Sequence, residues 1–329
     1  MTIFLNILFF VLGIVFLIKG ADFFVSGASS IAKKLKISTL IVGLTIVAIG
    51  TSLPEFSVSL TSAISKNTDL SVGNIVGSNM LNILLILGTV AIVSPIPIKS
   101  TSRKIELPFL LATTLILLLF SLDVILDGAN VNIISRVESL LLLVLFILYL
   151  FILVFNARKS RRAEINSEEI YEKKEKDLKI WQIIIYIIFG LSAVVFGGEC
   201  VSSTAEYMAL KLGMSEALVG LTVVAIGTSL PELMTSIVAA KKGENDIAIG
   251  NIVGSNIINT SFILGAVGTI SPINVSSVIL IDLLVLVIAT IVFTVCCLIK
   301  NNISKKEGIL FLIMYFSYFV FIILRNYCF

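Results

Sequence analysis

The sequence predicts an all-α polytopic membrane protein with ten transmembrane helices, laid out as two inverted five-helix repeats with broken helices at matching positions. Three observations predict it. Apolar stretches long enough to cross a ~30 Å hydrocarbon layer recur along the chain. One segment of sequence is written twice, 177 positions apart. Lys and Arg gather in alternate loops.

Of 329 residues, 57% are hydrophobic and 14% charged, and the mean hydropathy is +1.09. A soluble domain of this length would need a far more charged surface. The apolar spans fall near 3–31, 38–65, 71–93, 106–126 and 132–155, then 180–209, 216–240, 246–270, 275–299 and 308–325. The first, Ile3 to Ile18, has no basic segment ahead of it, unlike a signal peptide, and reads as a retained span with its N-terminus outside.

The repeat fixes the organisation. GLTIVAIGTSLPEFSVSL at Gly43 to Leu60 matches GLTVVAIGTSLPELMTSI at Gly220 to Ile237 in thirteen of eighteen positions. GNIVGSNMLN at Gly73 to Asn82 matches GNIVGSNIIN at Gly250 to Asn259, and Asp22 falls opposite Glu199. The domains are then a first repeat at 1–155, a charged linker at 156–179 and a second repeat at 180–329.

Five spans per half, an odd number, make the second copy enter from the opposite side. Charge tests this independently. With the N-terminus outside, nineteen of twenty-four Lys and Arg lie on the inner side, eight of them in the linker between Arg158 and Lys179. Lys66, Lys211 and Arg325 remain outside, in keeping with the positive-inside rule. Both termini are expected outside and the linker, a solvated tether, in the cytoplasm.

Several chemistries are excluded. The chain has no His, so no His-based zinc or haem site, and its four Cys form no CxxC pair. No cofactor is expected, and no basic-aromatic cluster suggests nucleic acid. An intramembrane hydrolase would need a nucleophile with a base or an aspartyl pair, which the sequence does not offer. The chain is not expected to be an enzyme.

Inverted repeats with matched helix interruptions mark secondary transporters, whose substrate sites lie near the midplane. The interruption is Gly-Thr-Ser-Leu-Pro-Glu. Pro54 and Pro231 lack an amide proton, so carbonyls before them lose helical partners. Such carbonyls are tolerated only where protein or a cavity surrounds them. Thr51, Ser52, Thr228 and Ser229 add hydroxyls at the break, and Glu55 and Glu232 follow each proline. A carboxylate at membrane depth costs about 2.5–3.5 kcal/mol or more. No Lys or Arg lies in the central spans to pair with these two, which leaves a bound cation. Calcium and sodium prefer such oxygen ligands.

In the second motif, Gly73, Gly77, Gly250 and Gly254 have the spacing for close helix approach. Ser78 and Ser255 follow, and Asn82 and Asn259 lie one turn on, with amide carbonyls that bind a cation without adding charge. Singly, a GxxxG is helix packing and an intramembrane Ser or Thr bonds to its own helix. Repeated at one offset, the set points to a site. Asp22 and Glu199, beside Gly-rich turns, read as peripheral or gating residues.

With GTSLPE and GNIVGSN both present twice, the sequence resembles the sodium/calcium exchanger branch of the cation/calcium exchanger superfamily over essentially its full length. The resemblance implies four central helices around a cluster of cation sites, opened alternately to each side by a pair of long tilted helices. It implies Glu55 and Glu232 as shared carboxylate ligands and the main-chain carbonyls of Thr51 and Thr228 as calcium ligands. Ala48 and Ala225 carbonyls, with Ser52, Ser78, Ser229 and Ser255, would complete flanking sodium sites, and Asn82 and Asn259 would line the middle. Asn259 stands where many prokaryotic relatives and the potassium-dependent branch carry Asp, which weakens any case for potassium co-transport. The implied function is sodium-driven calcium antiport, electrogenic if more than two sodium ions exchange for one calcium. The partners expected are membrane lipid, calcium and sodium, with no obligate protein partner, in a prokaryotic cell membrane. A calcium/proton exchanger is the nearest alternative, and a passive cation channel a more distant one.

Overall fold

The computed structural model describes residues 3–66, 68–126, 128–166, 178–211 and 225–328. A long helix α1 (Ile3–Leu35) leads into α2 (Thr39–Thr51) and α3 (Leu53–Ile64), which meet at 47°. Then come α4 (Thr68–Val93), short α5 (Ser100–Lys104), α6 (Glu106–Leu119), short α7 (Asp123–Leu126) and α8 (Arg136–Asn166). The second half repeats the plan with α9 (Ile180–Lys211), α10 (Ala225–Thr228), α11 (Leu230–Lys241), α12 (Asn245–Ile270), α13 (Ser277–Ile299) and α14 (Lys305–Cys328). The linker residues 167–177, and residues 212–224 with the first residues (220–224) of the second GLTVVAIGTSLPE segment, lie outside the described residues.

Seven of these helices are long and apolar enough to cross a membrane, and the bent pair α2–α3 would make an eighth. The chain is therefore a polytopic membrane protein. The stretch expected to span at 106–126 is shorter than that: α6 ends after 14 residues, about 21 Å of helix. Side chains turn the chain there. The Asp123 carboxylate accepts from Ile133 N at 2.7 Å, and Asn132 Oδ1 accepts from Val124 N at 2.8 Å. Two small antiparallel ribbons modify the all-α expectation. β1 (Ile96–Pro97) pairs with β4 (Asn302–Ile303), and β2 (Asn132–Ile134) with β3 (Ile273–Val275), each joining one half of the chain to the other.

Burial sorts the helices. The most apolar window of α12 is 94% buried and that of α4 78%, against 17% for α8. Among the described spans α4 and α12 are the most buried, and both carry the GNIVGSN motif. Ile147, Phe151 and Phe155 of α8 are exposed, as lipid-facing side chains must be. Around this core α1 and α9 cross closely. A Cβ added at Gly190 would lie 2.4 Å from Phe24 N, and one at Gly197 2.7 Å from Gly13 O. Gly250 and Gly254 likewise admit α2: added Cβ atoms would meet Leu40 O and Ala48 Cβ at 2.8 Å. The repeat-related neighbours of Gly73 and Gly77 fall largely outside the described residues.

Candidate cation site

The proline-broken helices place the site. At Ser52 (φ −81°, ψ 7°) and Ser229 (φ −92°, ψ 6°) the backbone leaves helical geometry for one residue, then restarts with Pro in the first turn. Proline suits that position, since the first amides of a helix have no intrahelical acceptor. Glu55 and Glu232 follow in the first turn, where the helix N-terminus favours negative charge. Both are essentially inaccessible, at 0% and 1% exposure.

The two breaks face one another. Ser229 Oγ donates to Glu55 Oε1 at 3.1 Å, and Ser52 Oγ donates to Glu232 Oε1 at 3.2 Å, so each carboxylate is held by the serine of the other repeat. Ser78 Oγ from α4 also reaches Glu55 Oε1, at 3.4 Å. Thr228 lies beside Glu55 and Thr51 beside Glu232. The Thr51 hydroxyl itself donates to Asn251 Oδ1 at 2.9 Å, with the Val47 carbonyl 3.1 Å away.

The remaining acceptors are open. Glu55 Oε2, Glu232 Oε2, Ser255 Oγ, Asn82 Oδ1 and Asn259 Oδ1 are buried without a hydrogen-bond partner among the described residues. Buried polar atoms in a protein almost always have partners, so open oxygens contributed by both repeats make this a candidate cation site. Among the described residues no cluster of three or more acidic, His or Cys side chains that could hold a metal ion occurs, and the acidic groups at this candidate site are Glu55 and Glu232.

The other expected ligands are placed less evenly. The Ala48 carbonyl accepts from Ser52 N at 3.1 Å, so one of its lone pairs is engaged within the helix. In the second break the Ser229 amide goes to Ile226 O at 3.2 Å. Ala225 begins α10 at the edge of the described residues. Asn82 and Asn259 sit in π-helical turns, Leu81–Ile86 and Ile258–Ile263, which widen the helix at those residues. Such bulges are frequent at functional sites. Asn259 Nδ2 donates to Asn79 Oδ1 at 3.2 Å.

Sequence reasoning missed the residues that hold the breaks in place. Asn74 Nδ2 donates to Glu55 O at 3.3 Å and to Ser59 Oγ at 3.1 Å. Asn251 Nδ2 does the same to Glu232 O at 3.3 Å and Ser236 Oγ at 3.0 Å. The signal was available: Asn74 and Asn251, and Ser59 and Ser236, stand at the same 177-residue offset as the ligands.

The chain matches the family described as sodium/calcium exchanger protein over residues 5–155 and 182–324. It is 30% identical to the sodium/calcium exchanger MaX1 of Methanosarcina acetivorans over 345 residues, covering 96% of this chain and 97% of that one. It is 36% identical to the inner membrane protein YrbG of Escherichia coli over 276 residues, 82% of this chain and 81% of that one. Among solved structures, the sodium-calcium exchanger NCX_Mj soaked with sodium and strontium has a TM-score of 0.82 at 31% identity, covering 97% of this chain and 99% of its own.

Proposed function

The chain belongs to the sodium/calcium exchanger protein family, and from that premise we propose that it is a sodium/calcium antiporter, drawing on the sodium gradient to move calcium by alternating access. The observation that carries this reading is the reciprocal pair Ser229–Glu55 and Ser52–Glu232, with the second oxygen of each carboxylate left open. One calcium would neutralise the two carboxylates, and so would two sodium ions. Shared ligands make occupancy by the two ions exclusive, which antiport requires. Loading more than two sodium ions would leave net positive charge, and transport would then respond to voltage by about 2.3 kcal/mol per charge per 100 mV.

The ligand set proposed is Glu55 and Glu232, hydroxyls of Ser52, Ser78, Ser229 and Ser255, carbonyls of Ala48, Thr51, Ala225 and Thr228, and the amides of Asn82 and Asn259. The matched breaks, matched Asn anchors and paired ribbons support ten spans in two inverted repeats, 1–155 and 180–329. Charge placement supports a cytoplasmic linker at 156–179 and external termini.

Calcium/proton exchange is the second reading, favoured by one feature: the groups that reach either carboxyl are hydroxyls and not cations, so an empty site needs neutralising charge that protons would supply. Radioactive calcium uptake into proteoliposomes under outward sodium or outward proton gradients separates the two. Uptake that follows sodium and vanishes in Glu55→Gln and Glu232→Gln supports sodium exchange. Uptake that follows protons alone assigns proton coupling to the same site.

A further inference from the structure

Each repeat carries a slit beside its broken helix, and the two slits differ. Between α3 and α9 lies a cavity of about 350 Å³ whose lining includes Leu53, Pro54, Ser57, Gly198, Glu199 and Thr228. Thr228 connects this cavity to the candidate site, since it lines the cavity and lies beside Glu55. The repeat-related slit, between α11 and α1, is filled: Leu230, Met234 and Val238 pack on Leu17 and Ala21. Sequence accounts for the difference. Ser57 and Gly198 line the cavity at the positions where the other half has Met234 and Ala21.

At matching positions of α1 and α9 stands a carboxylate with a hydroxyl one helical turn on, Asp22 with Ser26 and Glu199 with Ser203, and Glu199 lines the open cavity. In the filled slit the Lys242 ammonium lies on this oxygen set. It is 2.7 Å from Asp22 Oδ1, 2.8 Å from the Asp22 carbonyl and 2.7 Å from Ser26 Oγ. In the open slit Ser203 Oγ donates to Glu199 Oε1 at 3.1 Å, and Glu199 is exposed at the cavity rim. The position related to Lys242 is Ser65, whose hydroxyl turns back to the Thr61 and Ser62 carbonyls, each at 3.0 Å.

We propose that Glu199 and Ser203 form an entrance subsite for the transported cation, and that Lys242 is a tethered cation occupying the matching subsite of the closed entrance. The proposal rests on the exchange reading above and names where ions are first captured. The same oxygens hold a positive charge in one repeat. In the other, Glu199 borders the cavity that Thr228 also lines, and Ser65 stands at the position related to Lys242. A carboxylate at the mouth of a low-dielectric cleft focuses its field and raises local cation concentration. Opening the other entrance requires α1 to part from α11, which pulls Asp22 from Lys242, so this ion pair favours the state with the Glu199 side open.

The test is calcium uptake by the full chain in membrane vesicles of both orientations, measured at roughly 0.01 M and 1 M ionic strength, where the screening length falls from about 30 Å to about 3 Å. Glu199→Gln is expected to raise the half-saturating calcium concentration about threefold to tenfold at low ionic strength, from one face only. The maximal rate stays within about twofold, and the difference from the parent disappears at 1 M. Glu199→Asp restores the parent value. An unchanged half-saturation with intact transport overturns the subsite and leaves exchange standing, whereas the exchange reading fails on the sodium and proton gradients above. Should Glu199→Gln not accumulate, Ser203→Ala and the parent's own salt dependence decide. A parent half-saturation that rises with salt equally from both faces overturns the proposal.

Discussion

The Ser229 hydroxyl donates to Glu55 Oε1 at 3.1 Å across 174 positions of sequence, and Ser52 makes the matching bond to Glu232 Oε1 at 3.2 Å across 180. Each repeat therefore positions the other's carboxylate. The two carboxylates of the candidate site are thus held jointly by both halves of the chain.

Ser229→Ala and Ser52→Ala are expected to weaken calcium binding by similar amounts. A hydrogen bond to a charged group contributes about 1.5–3 kcal/mol, which is roughly a 10- to 100-fold change in affinity. Titration calorimetry on purified protein checks this. A large effect from one serine and none from the other would contradict the reciprocal arrangement.

Asn74 and Asn251 tie α4 and α12 to the carbonyl of the glutamate in each break. Asn74→Ala and Asn251→Ala leave every proposed ligand in place but release the break. Calcium transport is expected to fall about tenfold or more in each, while Asn74→Asp, which keeps the shape and loses the donor, does no better than Ala. Removing one partner of a buried hydrogen bond costs about 1–3 kcal/mol, so the folded yield from gel filtration should decline only modestly. Loss of folded protein in all three variants, with no transport-specific effect, would make these asparagines purely structural.

Much of this was legible because the chain states it twice. Pro54 and Pro231 mark breaks by backbone chemistry alone, and the 177-residue offset brought Glu55 and Glu232 forward from among 21 acidic residues. What stayed hidden depends on which residue meets which across the fold. Asn82 and Asn259 read as positions on regular helical turns, whereas both lie in π-helical turns that no local propensity announces. Asn74 and Asn251 carry no role in the sequence reading, because their partners are a backbone carbonyl and a serine supplied by another helix. The end of α6 was obscured by apolar residues that continue past it. Asp123 and Asn132 set the turn through contacts 8 and 10 residues apart, outside hydropathy altogether. Lys242 counted only as an inner-side charge, and its place on Asp22 emerged from the packing of α1 on α11.

The crossing of α1 and α9 predicts sensitivity to a single methyl group. A Cβ at Gly190 would lie 2.4 Å from Phe24 N and 2.8 Å from Phe24 Cα, which are backbone atoms that cannot rotate away. Gly190→Ala must therefore push the helices apart. Overpacking of this kind typically costs about 1–3 kcal/mol. Ile188→Ala, two residues away on an exposed face, is the control. Thermal denaturation in detergent should show a clear loss for Gly190→Ala and little for Ile188→Ala. Equal melting temperatures would mean that α1 and α9 are not in close contact at this point.

Arg325 reads in the sequence as an isolated external charge, yet it makes a two-pronged pair with Asp282. Nη1 lies 2.9 Å from Oδ1 and Nη2 3.1 Å from Oδ2, with the guanidinium over the Phe321 ring. The pair joins α13 to α14 and is mostly enclosed, with side chains 13% and 14% exposed. Its cost and its benefit are separable. Arg325→Gln alone leaves a mostly enclosed carboxylate without its charge partner. That carries up to about 3–5 kcal/mol for a fully buried partner, and less here because the pair retains some access to solvent. Asp282→Asn alone strands the guanidinium in the same way. The double substitution removes both charges, and neutral replacement of a buried pair is often close to harmless. A double-mutant cycle on thermal stability should therefore show each single variant less stable than the double. Effects that simply add would mean the two charges are solvated separately and hold nothing together.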